Sequence, residues 1–271
     1  MKVFISADIE GIAATNRWAE TIGSEREYPA YARAMTEEVV AACEGAIAAG
    51  AEEIVIKDAH GSATNLDLSM LPEQATIIRG WEGHPYMMAQ GIDRSFDAAV
   101  FIGYHSAAGS DGNPMSHTMT LAPQHVRING KPGSEFMIYS GCATLEGVPT
   151  VFLSGDKNLC EEGRALYPWL TTVAVKEGRG LSTVNMAPKK ACRLIREGVE
   201  KDENKCLALR QDLKALKPVL PEHFEVELEY KDHHKARTNS YFPGVEQVDA
   251  CTIRFAEDSY FEVLRKLKFL L

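Results

Sequence analysis

The chain has 271 residues, 45% hydrophobic and 25% charged. That is close to the globular average, so it excludes a mostly disordered polymer and leaves room for one large domain or two smaller ones. Lys plus Arg number 29 against 38 Asp plus Glu, a formal net charge of -9, which argues against nucleic-acid or anionic-membrane partners, since both require clustered cations.

From the N-terminus, KVFISA at 2–7 is an apolar, β-branched run that suits a buried strand. Pro29 opens a helix that runs to about Ala49, with Gly50 as its stop. Met35, Val39, Ala42, Ala46 and Ile47 form its apolar stripe. Strands are expected at 53–57, 76–79 and 98–103, with a helix near 84–91 between the last two. Residues 116–128 read as an extended excursion, and Asn129-Gly130 is a hairpin-type turn signal. A helix over 134–145, a strand at 149–153, a helix near 158–166 and a strand at 171–175 follow. Pro188 opens a helix running to about Lys201. The polar, proline-marked stretch 202–223 reads as a connecting segment. Beyond it lie two strand-like runs, FEVELEY and DACTIRF, and a closing helix, SYFEVLRKLKFLL.

Strands alternating with helices predict an α/β fold with a largely parallel sheet flanked by helices on both faces. The antiparallel excursion interrupts it. The expected organisation is a catalytic domain over 1–201 and a small α+β C-terminal subdomain over 224–271 packed on it, since about 50 residues is small for an independent domain. No stretch of about 20 apolar residues occurs, so no membrane-spanning helix is expected. The N-terminal apolar run is broken by Asp8 and Glu10 and is too short for a signal peptide. Cys43, Cys142, Cys160, Cys192, Cys206 and Cys251 have wide, irregular spacing with no CxxC pair. They read as reduced thiols in a cytoplasmic protein.

The chemistry lies in where the polar residues fall. Asp8 and Glu10 follow the first strand, Asp58 and His60 the second, and His105 the fourth. In an open parallel sheet, ligands bind beyond the carboxyl ends of the strands, so these residues belong on one edge. Two carboxylates with two imidazoles make a ligand set for zinc or a similar divalent ion. Carboxylates can also bridge two metals. Asp58 is expected to orient a neighbouring histidine instead of binding metal. His117, in MSHTM, is either a general acid/base beside the site or a hydrogen-bonded sheet histidine. Glu135 reads as a helix-start residue favoured by the dipole. His84, His125, His223, His233 and His234 read as surface or loop residues. No GxGxxG, P-loop or GxSxG motif occurs, which leaves nucleotide binding and serine hydrolysis without support.

ADIEGIAA at 7–14, MTEE at 35–38, KDAHG at 57–61, IGYHS at 102–106, MSHTM at 115–119, GSEF at 133–136 and SGD at 154–156 together resemble the DppA-type D-aminopeptidases, dinuclear zinc exopeptidases. The resemblance implies two Zn2+ per subunit, with Asp8 as the bridge, Glu10 and His60 completing one metal, and His105 and Glu135 the other. It implies that His117 is the catalytic residue. It also implies a cytoplasmic homo-oligomer, a ring-like decamer of two stacked pentamers with active sites facing an internal cavity, acting on short peptides. The chain departs from the family pattern at Lys57, Ser134, Met137 and Tyr139, positions where a substrate side chain or pocket wall could lie. These bear on the preference for D- over L-residues. The rivals are another metal-dependent amidase or phosphoesterase on the same ligands, and a non-catalytic protein stabilised by metal.

Overall fold

In the computed structural model the described residues are 1–208, 216 and 219–271. β1 (Lys2–Ala7) is followed by α1 (Tyr28–Ala48), β2 (Glu53–Asp58), β3 (Ala75–Ile78) and β4 (Ala98–Tyr104). After the excursion, β5 (Pro123–Ile128) and β6 (Lys131–Pro132) form a hairpin. Asn129 and Gly130 supply its two positive φ angles, 50° and 74°, as a type I′ turn requires. Then come α2 (Glu135–Leu145), β7 (Thr150–Asp156), α3 (Lys157–Leu166), β8 (Thr171–Arg179), β9 (Ser182–Asn185) and α4 (Pro188–Ala208). The C-terminal part holds β10 (Phe224–Tyr230), α5 (His233–Asn239), β11 (Glu246–Gln247), β12 (Thr252–Glu257) and α6 (Tyr260–Leu270).

The seven-stranded sheet has the order β3-β2-β1-β4-β7-β8-β9. Its strands run parallel except β9, which is antiparallel to β8. Alternation along β1 shows the two faces. Val3, Ile5 and Ala7 join the core under α1 and α4, and Phe4 joins the core under α2, α3 and α6. The α/β architecture with helices on both faces is therefore as expected. The second sheet, β11-β12-β10-β5-β6, is antiparallel. The excursion and the C-terminal strands thus share one sheet, with β10 hydrogen-bonded to both β5 and β12.

Strand order reverses at β1. From there the chain winds outward through β2 and β3 on one side and through β4, β7 and β8 on the other. The crevice between the ends of β1 and β4 is the topological switch point. The two exits are bonded together there, Asp8 N to the Ile102 carbonyl at 2.9 Å and Gly11 N to the Gly103 carbonyl at 2.8 Å. Both glycines are required by this approach. A Cβ on Gly11 would overlap the Tyr104 carbonyl, and one on Gly103, whose φ is +70°, would overlap the Asp8 carbonyl.

Several local expectations differ from the structure. The helix near 84–91 is only a 3-10 turn at Met87–Ala89, because Pro85 disfavours helix at the residue before it and Gly91 sits at φ +94°. The excursion becomes strand only at Pro123. Ahead of it, Thr118 donates to the Gly133 carbonyl and Met119 N to Glu135, so its polar groups bond to the start of α2 in place of a neighbouring strand. The helix opened by Pro188 continues to Ala208, which takes 202–208 out of the expected connecting segment. Positions 209–215, 217 and 218 of that segment lie outside the described residues, as does the Cys206 side chain. Cys142 and Cys160 are buried thiols. No helix among the described residues is long and apolar enough to cross a membrane.

Candidate metal centre

Asp8 and Glu10 leave β1, His60 follows β2, His105 follows β4, and Glu135 opens α2. All converge on the switch point. The His60 Nδ1 lies 3.3 Å from Asp8 Oδ1 and 3.0 Å from Glu10 Oε2. The His105 Nε2 lies 3.5 Å from Asp8 Oδ2 and 3.3 Å from Glu135 Oε2. One carboxylate, Asp8, thus turns each oxygen to a different histidine, and each histidine has a second carboxylate of its own. His117 completes the group, with Nε2 3.6 Å from Glu135 Oε1 and its ring stacked on His105 at 4.3 Å. Among the described residues, His105, His117 and Glu135 form one potential ion-holding triad, and Asp8, Glu10 and His105 another. The remaining histidines take no part; His223 pairs with Asp258 and His125 faces Glu229.

Each ring is held by the backbone on its far side. His105 Nδ1 meets the Ser106 carbonyl at 2.9 Å, His117 Nδ1 the Met115 carbonyl at 2.9 Å, and His60 Nε2 the Thr21 carbonyl at 2.8 Å. In each case a donated ring N–H turns the other nitrogen toward the cluster, where it holds a proton or, once that proton leaves, a lone pair for a metal ion. Asp58 acts on the His60 loop and not on its ring. It accepts from Asn65 N, Asn65 Nδ2 and Leu66 N, and Asn65 Nδ2 also reaches the His60 carbonyl at 2.7 Å. Ser106 N and Oγ donate to Asp156 at 2.7 and 2.6 Å, which fixes the loop after β4.

Sequence reasoning missed the strap on Glu10. Its carbonyl accepts from Asn113 Nδ2 at 3.0 Å and from the Lys176 ammonium. Lys176 also donates to the Thr15 carbonyl at 2.8 Å and hydroxyl at 2.7 Å. Nothing in the run TTVAVKEGR marks this lysine as inward-facing. Asp156 was discoverable, because it closes β7 as Asp8 follows β1.

The electrostatics describe a site short of positive charge. Burial pushes the Asp8 carboxyl well up, helped by the Glu10 charge. Burial would likewise raise Glu10 and Glu135, but the His60 charge pulls Glu10 well down and the His105 charge pulls Glu135 down. Burial would lower both imidazoles, yet the Glu10 charge helps lift His60 to about 12 and the Glu135 charge helps lift His105 to about 10. Protons on these two rings balance the Glu10 and Glu135 charges, while the raised Asp8 favours its own protonated form. His117 is lowered, by burial and then by the His105 charge.

A divalent ion fits the same atoms. Asp8 Oδ2, Glu10 Oε2 and His105 Nε2 are buried and satisfied by no well-formed hydrogen bond, which is costly unless something else pairs them. Zinc–ligand bonds of ~2.0–2.1 Å in a tetrahedron place neighbouring donor atoms ~3.3 Å apart. The four histidine–carboxylate separations above span 3.0–3.5 Å.

The centre is the floor of a cavity of about 660 Å³. Trp18, Ile22, Trp81, Met87, Met88, Met119 and Leu121 line its walls, and no lysine or arginine is among the described lining residues. Of the departures from the family pattern, Lys57 lies behind Trp81, its Nζ 4.1 Å from the ring centroid. Tyr139 donates its hydroxyl to Met119 Sδ at 3.0 Å. Ser134 caps α2, accepting from Met137 N.

A family model described as D-aminopeptidase (Peptidase_M55) matches residues 1–269. The chain is 30% identical over 270 residues to a D-aminopeptidase of Bacillus subtilis (strain 168), covering 98% of this chain and 95% of that one. It is also similar to the solved structure of the Zn-dependent D-aminopeptidase DppA from Bacillus subtilis, a self-compartmentalizing protease. That likeness has a TM-score of 0.88 at 28% identity, and covers 100% of this chain and 96% of the other. The match runs nearly end to end and includes every loop that builds the carboxylate–histidine cluster, and so the chain belongs to the D-aminopeptidase (Peptidase_M55) family.

Proposed function

We propose that this protein is a zinc-dependent aminopeptidase that holds two zinc ions and cleaves the peptide bond next to the free amino terminus of short, D-residue-containing peptides. The observation that carries the reading is Asp8, whose two oxygens face two different histidine–carboxylate pairs. Asp8 would bridge the ions, Glu10 and His60 would hold one, and His105 and Glu135 the other. When bound, the ions supply polarisation of the scissile carbonyl and a water acidified toward neutral pH.

The chain's own residues account for the rest. His117, with Nδ1 tied to the Met115 carbonyl and its pKa lowered, is neutral at pH 7 and presents Nε2 to the reacting centre. It takes a proton at Nε2 from the attacking water and delivers it to the leaving amine as the C–N bond breaks, the general acid–base role. Trp18 packs edge-on against this ring at 5.3 Å and limits its rotation. The Asp58–Asn65 and Ser106–Asp156 bonds hold the two ligand loops while charge redistributes. The cluster also offers a rival role for His117, as a ligand with His105 and Glu135. His117 Nε2 meets one carboxylate only, Glu135 at 3.6 Å, whereas His60 and His105 each meet Asp8 and a second carboxylate, and this favours the proton-carrying role.

Phosphoester cleavage needs cations to hold the phosphate, and the described lining supplies none. The relative's description as self-compartmentalizing supports a closed homo-oligomer here too, a decameric ring in our reading, and the buried thiols support a cytoplasmic setting. The decisive experiment is hydrolysis of matched D- and L-peptides, acyl amides and phosphate esters by zinc-loaded and chelator-stripped protein, with zinc per subunit from elemental analysis. Zinc-dependent release of N-terminal D-residues at two zinc ions per subunit is expected. Full turnover by metal-free protein, or activity only on phosphate esters, would overturn the reading.

A further inference from the structure

The cavity wall is built around one indole. Trp81 is 38% exposed and lines the cavity directly beside the His60 loop. Its Nε1 donates to the Gly61 carbonyl at 2.8 Å, one residue from His60. The Lys57 ammonium covers part of the ring, 4.1 Å from the centroid, and is itself tied to the Gly80 carbonyl at 2.6 Å. Lys57 is fully buried, an unusual position for a lysine without a task. Gly80, at φ +72°, bonds through its N–H to the Ala63 carbonyl at 2.9 Å. The indole is therefore pinned in its plane and at its edge before any substrate arrives.

The rest of the wall has the same chemistry. Ile22 and Leu121, 45% and 52% exposed, stand at the cavity with Trp18, Met87, Met88 and Met119. Exposed apolar side chains gathered around a polar floor mark a site that recognises apolar surface. Methionines add an adaptable lining that follows the shape of what enters. An ammonium already on the indole spends the ring's attraction for cations, so a second cation at the cavity side would meet repulsion instead of a free quadrupole. An acidic side chain would find no lysine or arginine among the described lining residues.

Resting on the aminopeptidase reading above, we propose that the preferred substrates are peptides with large apolar or aromatic side chains, and that Trp81, pinned by Lys57 and the Gly61 carbonyl, is the residue that selects them. The pinned ring needs no ordering when substrate binds, so the apolar contact goes into affinity instead of fixing a side chain.

The test compares zinc-loaded wild type, Trp81→Ala and Trp81→Phe on D-Phe-, D-Leu-, D-Ala-, D-Lys- and D-Asp-amides. Wild type should favour Phe and Leu over Ala, Lys and Asp by about ten- to a hundredfold in kcat/KM, the range one apolar side chain supplies. Trp81→Ala should raise KM for Phe and Leu about tenfold with kcat nearly kept, and change the Ala substrate less than about threefold. Trp81→Phe should restore most of the preference. Equal turnover of charged and apolar amides, or a Trp81→Ala loss of the same size for Ala as for Phe, would overturn the proposal. If no amide is cleaved at all, the aminopeptidase reading fails on its own. The wall is then judged by calorimetric binding of free D-Phe, D-Leu, D-Ala and D-Lys to wild type and Trp81→Ala, where the same ranking supports it and no ranking refutes it.

Discussion

Replacing Lys176 with methionine keeps the stem and removes the ammonium from a site only 3% exposed. The Thr15 carbonyl loses its charged donor, and the Glu10 carbonyl keeps Asn113 alone. Losing three charge-assisted hydrogen bonds, the third to the Thr15 hydroxyl, costs about 4.5–9 kcal/mol. Against this stands the relief of burial, which pushes the amine down from 10.5 to about 8. At ~1.36 kcal/mol per pK unit that returns about 3 kcal/mol. The net loss is therefore about 1.5–6 kcal/mol, or about 3–24 °C in the melting temperature at ~2–4 °C per kcal/mol for a chain this long. The loop carrying Glu10, however, loses the strap that sets its register. Removal of such a support behind a ligand lowers metal affinity by about 10- to 100-fold. The assay pairs thermal unfolding of chelator-treated protein with zinc competition by a chromogenic chelator. Unchanged zinc affinity with a lowered melting temperature would show that the strap serves stability alone and refute the positioning role. An unchanged melting temperature, or a drop above about 25 °C, would refute the energy balance.

His117→Ala should retain both zinc ions and lose turnover by about 10²–10⁴; elemental analysis beside the rate decides, and loss of one zinc would make His117 a ligand. Glu38, fully buried, is raised from 4.5 to about 7, mainly by burial, while its Oε1 accepts from Ala13 N at 2.8 Å. The folded state thus binds a proton that the unfolded state releases between these values. The associated stability, about 3 kcal/mol, is fully present below pH 4.5 and is lost as pH rises through 7. Glu38→Gln should flatten the melting temperature between pH 4.5 and 7 relative to wild type in chelator. An unchanged slope would assign the dependence to another group.

Much of the strand pattern was legible because buried parallel strands read as short apolar runs, and β1, β2, β4 and β7 are almost wholly buried. The strand-end rule then picked Asp8, Glu10, His60 and His105, and the structure brings these four together. Glu135 was not legible as more than a helix-start residue, since its approach to His105 depends on how α2 packs, a long-range fact. The family resemblance supplied it. Lys176 and Asn113 were invisible because they act on a backbone carbonyl, which leaves no side-chain pairing to read. The helix near 84–91 failed because Pro85 and Gly91 outweighed the apolar residues between them. The short β9 leaves little pattern in the sequence, because its pairing needs only the Gly180 turn, at φ +60°, and β8 as a partner.

The bonding of β1 to β4 has a consequence for how the protein comes into being. Lys2 N meets Asp97 Oδ2 at 2.8 Å across 95 residues of chain, and β1 cannot take its place between β2 and β4 until that span has been made and closed. Glu135 arrives later still. A nascent chain on the ribosome therefore carries the N-terminal half of the centre as scattered, water-exposed side chains with no capacity to grip an ion in catalytic geometry. On the proposed zinc reading, the ion would bind the native fold and not its precursors, so its supply would act as a thermodynamic pull on the last stages of folding. A cell short of zinc would then accumulate less folded enzyme, and not merely less active enzyme.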